Sequence, residues 1–83
     1  MYQGMAHGIK TAREVMFLQN IKISIAACRV NAQMSQKEFA EKLGVSAATV
    51  SNWESGRTEP TVTELRNISS ISGIPMDFIF VQH

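Results

Sequence analysis

The stretch Ser35-Gln36-Lys37-Glu38-Phe39-Ala40-Glu41-Lys42-Leu43-Gly44-Val45-Ser46-Ala47-Ala48-Thr49-Val50-Ser51-Asn52-Trp53-Glu54-Ser55-Gly56 decides the fold. It opens on a serine followed three residues later by a glutamate. The Ser35 hydroxyl can accept from the Glu38 amide while the Glu38 carboxylate reaches back to the Ser35 amide, which is a helix start. Phe39, Ala40 and Leu43 then form an apolar face, and Gly44 closes the helix because glycine enters the left-handed conformation without steric cost. Only Gly44, Val45 and Ser46 precede the next start. Ser46 is an N-cap residue. Val50 and Trp53, three apart, share one face of the helix that follows, and Gly56 ends it.

Two short helices joined by a three-residue turn containing glycine make a helix-turn-helix. In that geometry the first helix braces across a phosphate backbone and the second is held where it can enter a DNA major groove. The inner faces must be apolar, and Phe39, Ala40, Leu43, Val45, Val50 and Trp53 supply them. Ser46, Ala47, Ala48, Ser51 and Asn52 are left for the outer face, which is short and polar.

Working outward, Ile21, Ile25, Cys28 and Ala32 recur at helical spacing and predict a helix over 20–32. Thr61-Val62-Thr63-Glu64 reads as a second capping box after the Glu59-Pro60 break. Val62, Leu65, Ile68 and Ile71 recur at threes behind it, up to Gly73. Pro75 suits a first helical position and leads Met76, Phe78, Ile79 and Phe80 into a fifth helix. No run alternates apolar and polar residues between turn signals, so a sheet is not indicated. The expectation is an all-α, compact five-helix domain over 20–83. Residues 1–19 are read as a leader or arm, in which Ala12, Val15 and Met16 allow a short extra helix.

Size and composition narrow the function classes. A chain of 83 residues buries only about 60–65% of its unfolded surface, which suits one small domain rather than a multi-domain enzyme. With 45% hydrophobic and 18% charged residues it carries enough apolar material for a packed core. Its longest apolar run is a few residues, far below the ~18–20 that cross a bilayer. The start lacks the charged, apolar and small-residue pattern of a secretory signal. One cysteine, Cys28, cannot form an internal disulfide. A cytoplasmic protein is expected. The net charge of +1 neither announces a polyanionic partner nor forbids one, because clustering matters more than the total.

The string Ser35-Gln36-x-x-Phe39-Ala40-x-x-Leu43-Gly44-Val45-Ser46-x-x-Thr49-Val50-Ser51-x-Trp53-Glu54-x-Gly56 resembles the phage repressor/Cro-type (XRE-like) helix-turn-helix family. Pro60, Leu65, Ile68 and the closing Gly73-Ile74-Pro75-Met76-Asp77-Phe78-Ile79 are similar to its remaining helices. The likeness covers about 20–80. It implies a lambda-repressor-like fold and sequence-specific binding of double-stranded DNA by a transcriptional regulator, with a recognition helix over about 47–54. Ala47, Ala48 and Asn52 match base-facing positions, and an Asn amide can bond an adenine edge bidentately. The alanines depart from relatives with glutamines there; their side chains cannot hydrogen-bond, though their methyls can sit against thymine methyls, so readout leans more on DNA shape and bridging water. Gln36 matches a phosphate-contacting glutamine. Lys37, Ser46, Thr49, Ser51, Ser55, Gly56, Arg57 and Arg29 are further backbone-contact candidates. Arg29 and Glu54 match an internal ion pair that ties the first helix to the third.

Other chemistry finds little support in the residues. Trp53 lies on the inner face with Val50 and is read as core rather than as a ligand platform. Cys28 is read as a small buried hydrophobe. His7 and His83 sit near opposite termini and form no metal set with Cys28. No catalytic constellation, phosphate loop, cofactor or small-molecule ligand is indicated. Met76, Phe78, Ile79 and Phe80 are more apolar side chains than one short helix buries, and the resemblance implies a homodimer through them. The alternative is an antitoxin-like or accessory module whose main surface grips a protein. Salt-dependent DNA affinity separates the two.

Overall fold

The structure is a computed structural model that describes Thr11 and residues 21–81. The leader or arm assigned to 1–19, with its extra helix, lies outside the described residues apart from Thr11. Within 21–81 the order is β1 (Ile23–Ser24), α1 (Ile25–Asn31), α2 (Gln36–Leu43), α3 (Ala47–Ser55), α4 (Val62–Ser72), a 3-10 turn (Met76–Phe78) and β2 (Ile79–Phe80).

The helices begin and end where side chains satisfy their free backbone groups. Ser35 and Thr61 each form a complete capping box, with Glu38 and Glu64 respectively. Ser46 Oγ accepts from the Thr49 amide at 3.1 Å and starts α3. Gly44, Gly56 and Gly73 follow α2, α3 and α4 in the left-handed region, at φ of 74°, 81° and 77°. After α2 the Val45 amide donates to the Ala40 carbonyl at 3.0 Å and the Gly44 amide to the Glu41 carbonyl at 3.3 Å. The same pair of bonds closes α3, from Arg57 to Asn52 and from Gly56 to Trp53. These doubled bonds satisfy orphan carbonyls and turn the chain sharply.

Two expectations need correction. The described residues contain four α-helices, not five, and a small parallel sheet joins them. Ile23 pairs with Ile79 and Ser24 with Phe80. The first helix therefore starts at Ile25 rather than at 20, with Ser24 as its cap accepting from the Ala27 amide at 3.0 Å. The stretch after Pro75 is one 3-10 turn that runs into a strand. So few residues cannot repay helix nucleation. The β-branched Ile79 finds a ladder partner in Ile23 instead. The signal was hidden because each strand is only two residues long and its partner lies more than fifty positions away.

The core is Ile25, Cys28, Phe39, Ala40, Val50, Trp53 and Ile68, with Leu43, Val45, Leu65 and Ile71 partly buried against it. Phe39, Val50, Ile68 and Cys28 are fully buried. On α4 the inner face is Leu65, Ile68, Ile71 and Ser72. Val62 does not belong to it and stands 63% exposed in the first turn. Ser72 is the polar member of the interior: its hydroxyl donates to the Ile68 carbonyl at 2.7 Å and accepts from the Ile74 amide at 3.2 Å. Asn31 Nδ2 donates to the Ser72 carbonyl at 2.9 Å, bonding the end of α1 to the end of α4.

Candidate nucleic-acid interface

The pose of α3 follows from its sequence. Val50 and Trp53 face the core, at 0% and 3% exposure. Residues three and four apart share a helix face, so Ala47, Ala48, Ser51 and Ser55 point outward and are exposed, with Asn52 half-buried at the edge. The link from α2 is too short to let α3 pivot, and Val45 plugs it against the core.

A polar network holds α3 from beneath. Arg29 on α1 donates from Nε to Glu54 Oε2 at 2.7 Å and from Nη2 to Glu54 Oε1 at 3.3 Å. Its Nη1 donates to the Met34 carbonyl at 2.9 Å, bracing the turn between α1 and α2. Gln36, the first residue of α2, donates from Nε2 to Glu54 Oε1 at 3.0 Å. The two charged side chains are only 19% and 10% exposed, so the charges depend on each other and on these bonds for solvation. The hydrogen bond that Arg29 donates to Glu54, together with the carboxylate's negative charge, raises the Arg29 pKa further and outweighs the opposing effect of burial. Glu54 therefore binds three elements at once. The family resemblance pointed to Arg29 as its partner; the bond from Gln36 to Glu54 and that from Arg29 to the Met34 carbonyl were not legible, because single side-chain hydrogen bonds leave no periodic trace.

The structure places the remaining candidates as follows. Lys37 and Arg57 are exposed, one in the first turn of α2 and the other in the turn after α3. Ser46 and Thr49 bond each other through their hydroxyls at 2.9 Å. Ser55 Oγ donates to the Asn52 carbonyl at 3.2 Å within its own helix. Gln36 is half-buried, with one amide hydrogen directed at Glu54 and the other not so engaged. The C-terminal apolar set separates: Phe78 is buried at 4% exposure, Ile79 packs against the core, Met76 is half-buried, and Phe80 stays 46% exposed. Phe78 thus closes this domain's own interior.

Among the described residues no group of three or more His, Cys, Asp or Glu stands ready to hold a metal. Burial pushes the Cys28 thiol pKa up, which makes it a poor nucleophile at neutral pH. No helix among the described residues is long and apolar enough to cross a membrane. A shallow cleft is lined by Ala32, Gln33, Met34, Glu38, Glu41 and Lys42, and Glu38 within it is committed to its capping box.

An α2–turn–α3 unit with its second helix seated on a core and its outer face open is a helix-turn-helix domain. The helix-turn-helix family profile HTH_3 (Cro/C1-type) matches residues 25–79, and the chain belongs to that family. It is 33% identical over 64 residues to an uncharacterized HTH-type transcriptional regulator, YqaE, of Bacillus subtilis, covering 77% of this chain and 52% of that protein. It is likewise 33% identical over 52 residues to an SPbeta prophage-derived uncharacterized HTH-type transcriptional regulator, YonR, of the same species, covering 63% of this chain and 48% of that protein. A match of 39% over 59 residues joins it to the type II methyltransferase M.SsoII of Shigella sonnei, covering 68% of this chain and 16% of that protein. The chain thus spans about half the length of the two regulators and a small part of the methyltransferase. No solved structure matches it at a significant level.

Proposed function

We propose that this protein binds duplex DNA sequence-specifically and acts as a transcriptional repressor of the phage or prophage type, without enzymatic activity of its own. The observation that carries this reading is the outer face of α3, where Ala47, Ala48 and Ser51 are exposed beside Asn52 on a helix fixed by the Glu54 network. In this reading Asn52 bonds a base edge and Gln36 offers its second amide hydrogen to a phosphate. Lys37, Ser46, Thr49, Ser51, Ser55, Arg57 and the amide of Gly56 line the backbone, and Arg29 acts by holding Glu54. The prophage origin of one related regulator supports the setting. Such a protein works in the cytoplasm, beside the DNA.

A homodimer fits the same reading. Phe80 is the exposed large apolar residue of the C-terminal segment, in which Met76 and Ile79 are half-buried. Two copies joined there would present two α3 helices to successive major grooves about 34–36 Å apart.

The domain's charge balance favours specific over general attraction. Between 21 and 81, Lys22, Arg29, Lys37, Lys42, Arg57 and Arg66 are offset one for one by Glu38, Glu41, Glu54, Glu59, Glu64 and Asp77. A surface without excess positive charge gains little from releasing counterions. The same balance suits the second reading, a protein-interaction module. The deciding experiment is selection from a random pool of duplex DNA at two salt concentrations. An enriched palindrome with half-sites about one turn apart supports the regulator; no enrichment, with a stable protein complex formed instead, supports the module.

A further inference from the structure

The outer face of α3 is short of reach as well as of charge. No lysine or arginine occurs between Ala47 and Ser55. The carboxylate of the helix, Glu54, is held by Arg29 and Gln36. The hydroxyls of Ser46 and Thr49 are bonded to each other, and that of Ser55 to its own helix. On the outward face of α3 this leaves the Ser51 hydroxyl and the Asn52 side-chain amide, which make no hydrogen bond among the described residues. They lie one turn from the two exposed methyl groups of Ala47 and Ala48.

Such a face can read only some base edges. Guanine offers two acceptors to the major groove, which long cationic side chains engage, and α3 has none. Thymine offers a methyl group, and adenine an amine beside an acceptor. Short side chains also let the helix sit closer to the floor of the groove, where methyl-to-methyl contact displaces water. Resting on the DNA-reading role proposed above, we infer that α3 recognises thymine methyl groups. The half-site carries thymines against Ala47 and Ala48, beside the adenine that Asn52 reads.

The test uses the full chain and the sequence enriched from the random duplex pool. Each thymine in turn is replaced by uracil, which removes the methyl and leaves the pairing intact. Affinity should fall about fourfold at one or two thymines of each half-site, the worth of one buried methyl group. Ala47→Gly and Ala48→Gly should then bring the thymine-to-uracil ratio close to one at the matching position. Because that ratio is taken within each variant, any loss of folded protein cancels. A tight enriched sequence indifferent to uracil, or ratios unchanged in both glycine variants, would overturn the thymine inference and leave DNA reading intact. An absence of any enriched sequence would overturn the DNA reading itself.

Discussion

Arg29 Nε stands 2.7 Å from Glu54 Oε2, so two residues 25 positions apart clamp α1 onto the helix that faces DNA in the proposed reading. Removing one member leaves the other poorly solvated, because both side chains are largely covered. Glu54→Ala should cost about 3 kcal/mol of unfolding free energy, the lower end for a broken buried pair. Glu54→Gln, which keeps the shape and some hydrogen bonds, should cost less. Urea unfolding of Glu54→Ala, Arg29→Ala and the double variant measures the coupling. Additive costs would show that the pair contributes nothing of its own.

Gly44 adopts φ of 74° at the turn between α2 and α3, and a Cβ there would meet no atom within 4 Å. Gly44→Ala should therefore suffer backbone strain alone, about 1–2 kcal/mol. For a domain of this size that lowers the melting temperature by roughly 4–8 °C per kcal/mol. Gly44→Asn should lose less, since asparagine tolerates the left-handed region. An unchanged melting temperature for Gly44→Ala would place the helix end elsewhere.

Cys28 makes stability fall at alkaline pH. Burial raises its pKa above the ordinary value of 9.0, against weaker opposing hydrogen bonds, chiefly from Ser72. Below that ordinary value both folded and unfolded chains keep the proton, and the contribution is constant. Above it the unfolded chain releases its proton first, so each pH unit favours unfolding by up to about 1.4 kcal/mol until the folded thiol also ionises. Chemical unfolding of the parent and Cys28→Ala across pH 8 to 10.5 isolates this group. The parent should lose stability more steeply, and parallel curves would remove Cys28 from the account.

Asn52→Ala should leave the melting temperature within about 1 °C, because the Asn52 side-chain amide forms no hydrogen bond among the described residues. Its effect should appear in binding, as lost discrimination of about 1–3 kcal/mol at one base step. Titration against the enriched sequence and its single-base variants reads this directly. A uniform loss across all sequences would assign Asn52 to the DNA backbone instead.

Phe80 is 46% exposed beside a two-residue strand. If it joins two copies, Phe80→Ser should weaken self-association about tenfold or more, from the apolar surface no longer buried. Sedimentation across a concentration series checks this, with unfolding of the dilute protein as the control. A variant that unfolds at every concentration would tie Phe80 to the domain itself.

The middle of this fold was legible because its signals are local. A hydroxyl that caps an amide three residues on, a glycine that takes a left-handed turn, and two core residues three apart all act within one helical turn. That is why α2, α3, the start of α4 and the outward set of Ala47, Ala48 and Ser51 could be placed residue by residue. Trp53 and Cys28 also sit in the core as their faces demanded. The ends were not legible. Helical spacing from Ile21 to Ala32 is real, yet Ile23 is taken by a strand, and four closing apolar residues divide between a 3-10 turn and its partner strand.

The sequence by itself determined the helix-turn-helix and the residues turned outward on α3, since periodicity and capping chemistry depend only on neighbours; the family was legible from the resemblance of the string from Ser35 to Gly56. The tertiary structure alone decided that Ile23 meets Ile79, that Phe78 is buried in this domain's own interior while Phe80 is not, that Glu54 gathers Gln36 as well as Arg29, and that Arg29 also holds the Met34 carbonyl. Those outcomes rest on contacts between residues remote in the chain, whose formation depends on how the helices pack and on which polar groups that packing leaves to be satisfied.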